Sequence, residues 1–264
     1  MSCLAKETVK FKAPVANPKL DPPFEMKELS LLEPFSVVRY MFCDVGIHVD
    51  YNQVGQFWSH HWQVGSPWAV NSSASQRHIP LGLHGDGAKL RQLAYQAPQK
   101  MVGIFLNAPL WRPRSVRAGR WLLFAIREED LYKHETLNAA YHRIVWSLNC
   151  LHSGLYPCSG PNGEPLEGKF RERANTPICN GMQFSVTEIR GDWAYHKQSL
   201  RFRSSWSGGV NVPVCFQCPA MNSGPDCYYD VSENSPLWSK QYNLVQFLVE
   251  QVPDVDPCGF QTIQ

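Results

Sequence analysis

Between His78 and Thr187 the chain runs through three short apolar segments, an amphipathic stretch of helical period and a fourth, alternating segment, and this order restricts the fold more than any other feature. His78–Leu83 leads into Gly85-Asp86-Gly87, and Met101–Leu110 and Arg120–Ile126 follow. Apolar runs of this length, bounded by glycine, proline and polar residues, read as strands. Leu137, Ala140, Tyr141, Ile144, Val145, Leu148 and Leu151 then recur at i, i+3, i+4, i+7, i+8, i+11 and i+14, with Gly154 where a helix would stop. Met182, Phe184 and Val186 alternate with polar residues in a strand that leads to Gly191-Asp192, and Trp193–Phe202 reads as a further helix. A three-strand meander followed by a crossover helix brings the fourth strand back parallel to the first, because such crossovers are right-handed. The expected class is α/β with a mixed sheet. Its two Gly-Asp steps would meet at the carboxyl edge of neighbouring parallel strands, where ligands of open α/β sheets bind.

Around this core the organisation is read as four parts. Residues 1–33, with Pro14, Pro18, Pro22 and Pro23, are expected to form an extended arm or linker. Residues 34–77 form a helical preface: Phe35, Val38 and Phe42 recur at helical spacing after Pro34, predicting a helix near 35–44. A second short helix holds Trp58, His60, His61 and Trp62, read as packing and hydrogen-bonding residues rather than ligands. Residues 78–210 are the core, and 211–264 a small cysteine-containing segment. At 264 residues and 44% apolar content the chain can bury one substantial core. Its 25 basic and 23 acidic residues leave a net charge of +2, which excludes a general basic field, so any nucleic-acid surface must be local. No apolar run approaches the roughly 18 residues of a membrane span, and the amino end lacks a signal-peptide core, so an intracellular protein without a membrane partner is expected.

Asp86 and Asp192 are the candidate catalytic and metal-binding residues. Converging carboxylates repel one another and are tolerated chiefly when a divalent cation fills the gap, with Mg2+ or Mn2+ the natural occupant. The plainer reading stays open: Gly-Asp-Gly is a common turn, and an aspartate before a helix is a good amino-terminal cap. Glu128, Glu129, Asp130 and Glu135, and further on Asp230, Asp254 and Asp256, are candidate third acids that read equally as turn or helix-start residues. Cys215-Phe-Gln-Cys218 is half of a zinc site, to be completed by Cys227, Cys258 or a histidine such as His196; unliganded thiols are the alternative, and a redox pair the weaker one. Nine scattered cysteines in a chain of this length suggest thiols or metal ligands rather than bridges. Arg112, Arg114, Arg117 and Arg120, then Lys169, Arg171 and Arg173, then Lys197, Arg201 and Arg203, are interleaved with Trp111, Trp121, Trp193 and Trp206. That mixture suits phosphate contact with base stacking, and equally suits solvated loops beside buried tryptophans.

The strand ending at Gly85-Asp86-Gly87, the segment Glu188–Lys197 around Gly191-Asp192, and the Cys215/Cys218 knuckle shortly after it together resemble the DDE-type transposases of cut-and-paste elements, particularly the Plavaka and Kyakuja–Dileera–Zisupton groups. The resemblance covers roughly residues 78–230. It implies a ribonuclease-H-like fold, DNA as partner, a nuclear location, and phosphodiester cleavage or strand transfer with metals held by Asp86 and Asp192. The third acid of such enzymes would lie on a helix further along, after an apolar segment for which Leu244–Val252 is the candidate, and its absence through truncation is the expectation. A non-catalytic nucleic-acid or protein interaction module that keeps the fold, and a zinc knuckle, is the alternative.

Overall fold

The computed structural model describes residues 8–89, 100–113, 115, 119–200, 214–215, 218–221, 223–224 and 227. They belong to two compact units that divide between Arg190 and Gly191.

The stretch expected as an extended arm is a β-hairpin. Strands β1 (Thr8–Ala16) and β2 (Phe24–Leu32) pair antiparallel in unbroken register, from Thr8 opposite Leu32 to Ala16 opposite Phe24. Val9, Phe11, Ala13 and Val15 alternate with Lys10 and Lys12, the period of a strand with one buried face. Ala13, Val15 and Leu31 are buried. Pro14 fits because a strand at a sheet edge has positions whose N–H donates to no neighbour. An isolated two-stranded hairpin is marginal in water. This one rests on other parts of the unit: the Phe11 and Phe124 rings lie 5.9 Å apart, those of Phe24 and Tyr132 4.7 Å, and Thr136 Oγ1 donates to the Pro14 carbonyl at 2.6 Å.

Helix α1 (Pro34–Arg39) carries proline at its first turn, where the missing N–H costs nothing, and continues as a π-helical turn over Tyr40–Asp44. Helix α2 (Tyr51–Gln63) is capped by Asp50, whose Oδ1 accepts the N–H groups of Asn52 and Gln53 at 2.9 and 3.4 Å. It buries Val54 and Trp58, and the Trp58 indole donates to the His78 carbonyl at 2.7 Å. A single turn, α3 (Pro67–Val70), follows. His61 packs edge-on against Phe57 and has its Nδ1 3.0 Å from Ser66 Oγ, as expected of a packing histidine.

The sheet comprises β3 (Ile79–Lys89), β4 (Lys100–Asn107), β5 (Trp121–Arg127) and β6 (Phe184–Gly191), in the spatial order β5-β4-β3-β6. The first three form an antiparallel meander. At the other edge Ile79 N–H donates to the Gln183 carbonyl, Thr187 Oγ1 donates to the Leu81 carbonyl, and Gly82 faces Glu188. Both sets of numbers ascend together, so β6 runs parallel to β3. Between β5 and β6 lies helix α4 (Glu135–Ser153), which ends at Gly154 in the left-handed region at φ 74°. A Cβ there would also stand 3.1 Å from the Met182 carbonyl, so glycine is required twice over. Leu81, Ile104 and Leu106 of the sheet and Leu137, Ala140, Ile144 and Leu151 of α4 are among the fully buried residues, each large side chain contributing on the order of 1.5–3 kcal/mol. A short helix, α5 (Gly168–Arg173), interrupts the loop that leads back to β6. In the second unit, α6 (Trp193–Leu200) is the one helix among the described residues.

Candidate nucleic-acid interface

The strand carrying Asp86 does not end where the sequence suggests. β3 runs on to Lys89, and Asp86 sits within it, opposite Gly103 of β4. Its side chain is 53% exposed, and its Oδ2 stands 3.9 Å from His84 Nε2, an ion-pair distance too long for a hydrogen bond. Side chains alternate along a strand, so Gly82, His84 and Asp86 share one face. Across the ladder that face continues through Asn107 and Phe105 of β4.

Three observations define what this face holds. Glu188 and Asn107 lean over Gly82 from the two flanking strands: Asn107 Nδ2 donates to Glu188 Oε1 at 3.1 Å, and a Cβ on Gly82 would come within 2.5 Å of that oxygen. Glu188 Oε2 is held by Arg190 at 2.6 Å, so this carboxylate is neutralised in place. His84 is only 15% exposed, and neither ring nitrogen makes a hydrogen bond; the buried Asn107 Oδ1 lacks one as well. Burial lowers the His84 pKa, Arg120 and Arg190 push it further down, and Asp86 pulls it up. The imidazole is therefore kept toward its neutral form, with a free donor and a free acceptor.

His84, Asn107 and Arg190 line a cleft of about 350 Å³ together with Arg112 and Arg120 from the loop between β4 and β5. The cleft thus has three guanidinium groups in its walls, one of them paired with Glu188. Trp111 lines it too and is stacked on Trp121, ring centroids 5.3 Å apart and planes 18° from parallel. Cationic forks beside flat aromatic surface are the usual equipment for holding phosphate and base. Of the arginines read together from the sequence, Arg112 and Arg120 reach the cleft, while Arg114 and Arg117 lie outside the described residues. His84, Asn107, Glu188 and Arg190 were not singled out by sequence reasoning. The signal available for them was the same-face spacing of Glu188 and Arg190, two residues apart on one strand, and of His84 and Asp86 on another.

Asp192 belongs to the second unit, where it precedes α6 and its Oδ1 accepts the Tyr195 N–H at 2.7 Å, the geometry of an amino-terminal cap. Of the candidate third acids, Glu129 and Asp130 are tied to Arg127 and Glu128 to Lys100. Asp230, Asp254 and Asp256 lie outside the described residues. Among the described residues no group of three His, Cys, Asp or Glu side chains converges. Cys215 and Cys218 are half-buried, Cys227 is buried, and the Val214 N–H donates to the Ala220 carbonyl at 2.8 Å. Cys215 and Cys218 would offer two of the four ligands a structural zinc needs. Cys258, Arg201, Arg203 and Trp206 lie outside the described residues. Lys169 and Arg173 of α5 lie over the Phe170 and Tyr156 rings, which accounts for part of the second basic cluster by packing.

Comparison with protein-family models, with curated proteins and with solved structures finds no match to this chain, so function rests on the site itself. No helix among the described residues is long and apolar enough to cross a membrane.

Proposed function

We propose that this chain is a nucleic-acid-binding domain of ribonuclease-H-like topology, related to DDE-type transposases, that holds the sugar–phosphate backbone in the arginine-lined cleft. The observation that carries the reading is the convergence of Arg112, Arg120 and Arg190 on one cleft, beside which Glu188 is paired with Arg190 and Asp86 stands exposed. The strand order β5-β4-β3-β6, with the crossover helix before a parallel fourth strand, supports the topology. A nuclear location and a zinc bound through Cys215 and Cys218 accompany the proposal; the zinc is checked by metal content before and after Cys215→Ser.

Binding of a fluorescent oligonucleotide at several salt concentrations tests the main reading. Affinity should fall steeply with salt, and Arg120→Ala combined with Arg190→Ala should weaken binding at least tenfold, since each lost phosphate contact removes about one released counterion. Binding indifferent to both changes would overturn it.

A competing reading keeps the enzyme: cleavage or strand transfer at Asp86 and Asp192 with bound Mg2+ or Mn2+. The position of both aspartates on or directly after the two parallel neighbours, β3 and β6, favours it. Such cations would polarise the phosphodiester and the attacking water or hydroxyl. Manganese-dependent nicking abolished by Asp86→Asn would establish it in place of the first.

A further inference from the structure

The cationic cleft has a neighbour of different chemistry. Phe42, Ile47, Val49 and Leu110 line a second cleft of about 320 Å³, with His48 and Gln53 at its polar margin. The two clefts share Ala108 and Trp111 as walls. Trp111, one face of which is covered by Trp121, therefore lines both a space with arginines in its walls and a space whose lining side chains are mostly apolar.

We infer that the two clefts together take one unpaired nucleotide of a single-stranded nucleic acid, phosphate among Arg112, Arg120 and Arg190 and base in the apolar cleft against Trp111. This rests on the reading of the cationic cleft as a phosphate site and adds the strandedness of the partner. Three features argue for it. The apolar cleft lies at the small end of the range for ligand pockets, room for a planar ring system and not for a duplex. A base in a duplex presents its edge in a groove and keeps its face stacked on its neighbours, whereas an unstacked base is free to meet the Trp111 indole that lines this site. The polar margin at His48 and Gln53 supplies hydrogen-bonding groups for the edge of such a base, while the Asp50 carboxylate beside them is occupied in capping α2.

The decisive comparison uses the wild-type chain and four probes of equal length at one salt concentration: oligo-dT, oligo-U, a dT strand carrying a run of abasic sites, and a dA·dT duplex. Tighter binding of oligo-dT, oligo-U or both than of the abasic strand and the duplex, by about tenfold or more, is expected, because stacking of each base contributes a factor of that order. Which of the two single strands is preferred separates a DNA from an RNA partner. Trp111→Ala should remove the preference of the single strands over the abasic strand and the duplex. Equal binding of all four probes, with the arginine dependence intact, would overturn this inference and leave the phosphate site standing. Loss of the arginine dependence itself would overturn both. Should Trp111→Ala fail to fold, the probe comparison on the wild-type protein still decides.

Discussion

Two glutamate–arginine pairs in the first unit have the same 2.6 Å contact and opposite surroundings. Glu33, fully buried at the end of the hairpin, is bound by Arg143 of α4. Glu188, on the open face of the sheet, is bound by Arg190, whose side chain is 63% exposed. Burial raises the pKa of Glu33 to about 7 against the pull of Arg143, and its Oε2 makes no hydrogen bond. The first pair ties the end of the hairpin to the helix, with Glu33 fully buried and the Arg143 side chain 20% exposed. The second sits where solvent and ligand can compete for Arg190, and so can be part of a binding site. An ion pair's role is decided by where it stands and not by its length.

The largest test of that contrast removes a single partner. Arg143→Met should leave Glu33 buried without its cation and destabilise the protein by about 3–5 kcal/mol, measured by denaturant unfolding. pH gives the next effect. A carboxyl whose folded pKa lies above its unfolded value of 4.5 contributes stability that is complete below pH 4.5 and lost as pH rises through about 7. The loss is worth at most about 3 kcal/mol. His78 and His84, with lowered pKa values, act in the opposite sense and weaken the fold as pH falls below 6.5. Comparing unfolding of the wild type with Glu33→Gln between pH 5 and 8 therefore isolates Glu33: the difference should shift in favour of the variant as pH rises.

Gly82→Ala addresses the second pair. The added methyl group would strike Glu188 and Asn107, so a cost of about 1–3 kcal/mol is expected in thermal or denaturant unfolding. The smallest stability effect belongs to Arg190→Ala, within about 0.5 kcal/mol because the side chain is exposed. Its signature should appear instead in binding, as a salt dependence shallower by about one counterion. A drop in stability comparable to that of Arg143→Met would show that the two pairs are not different after all. Thiol labelling offers a check independent of either pair: Cys43 and Cys158 are exposed and should react readily, while Cys150, with its pKa pushed up to about 12 by burial, should not.

How much of this was legible without coordinates depends on the range over which each signal acts. Helix α4 is written in the spacing of Leu137 to Leu151 and stopped by Gly154, both local facts, and the strand–strand–strand–helix–strand order follows from equally local apolar runs. The hairpin was concealed by Pro14, Pro18, Pro22 and Pro23, although Val9, Phe11, Ala13 and Val15 alternate correctly. Their burial depends on Phe124 and Thr136, more than a hundred residues away. Asp86 was placed on the right strand but at its end, because Gly-Asp-Gly looks like a turn. Pairing with Gly103 and its neighbours holds the backbone extended through it.

The sequence by itself determined the α/β class, the order of the core elements and which strand bears Asp86, since periodicity, glycine stops and chain order need no tertiary information. Tertiary structure alone decided that His84, Asn107, Glu188 and Arg190 share one face with the loop arginines. Strand neighbours and register are set by which buried faces pack together, and residues as distant as Gly82 and Glu188 come into contact only after that packing is complete.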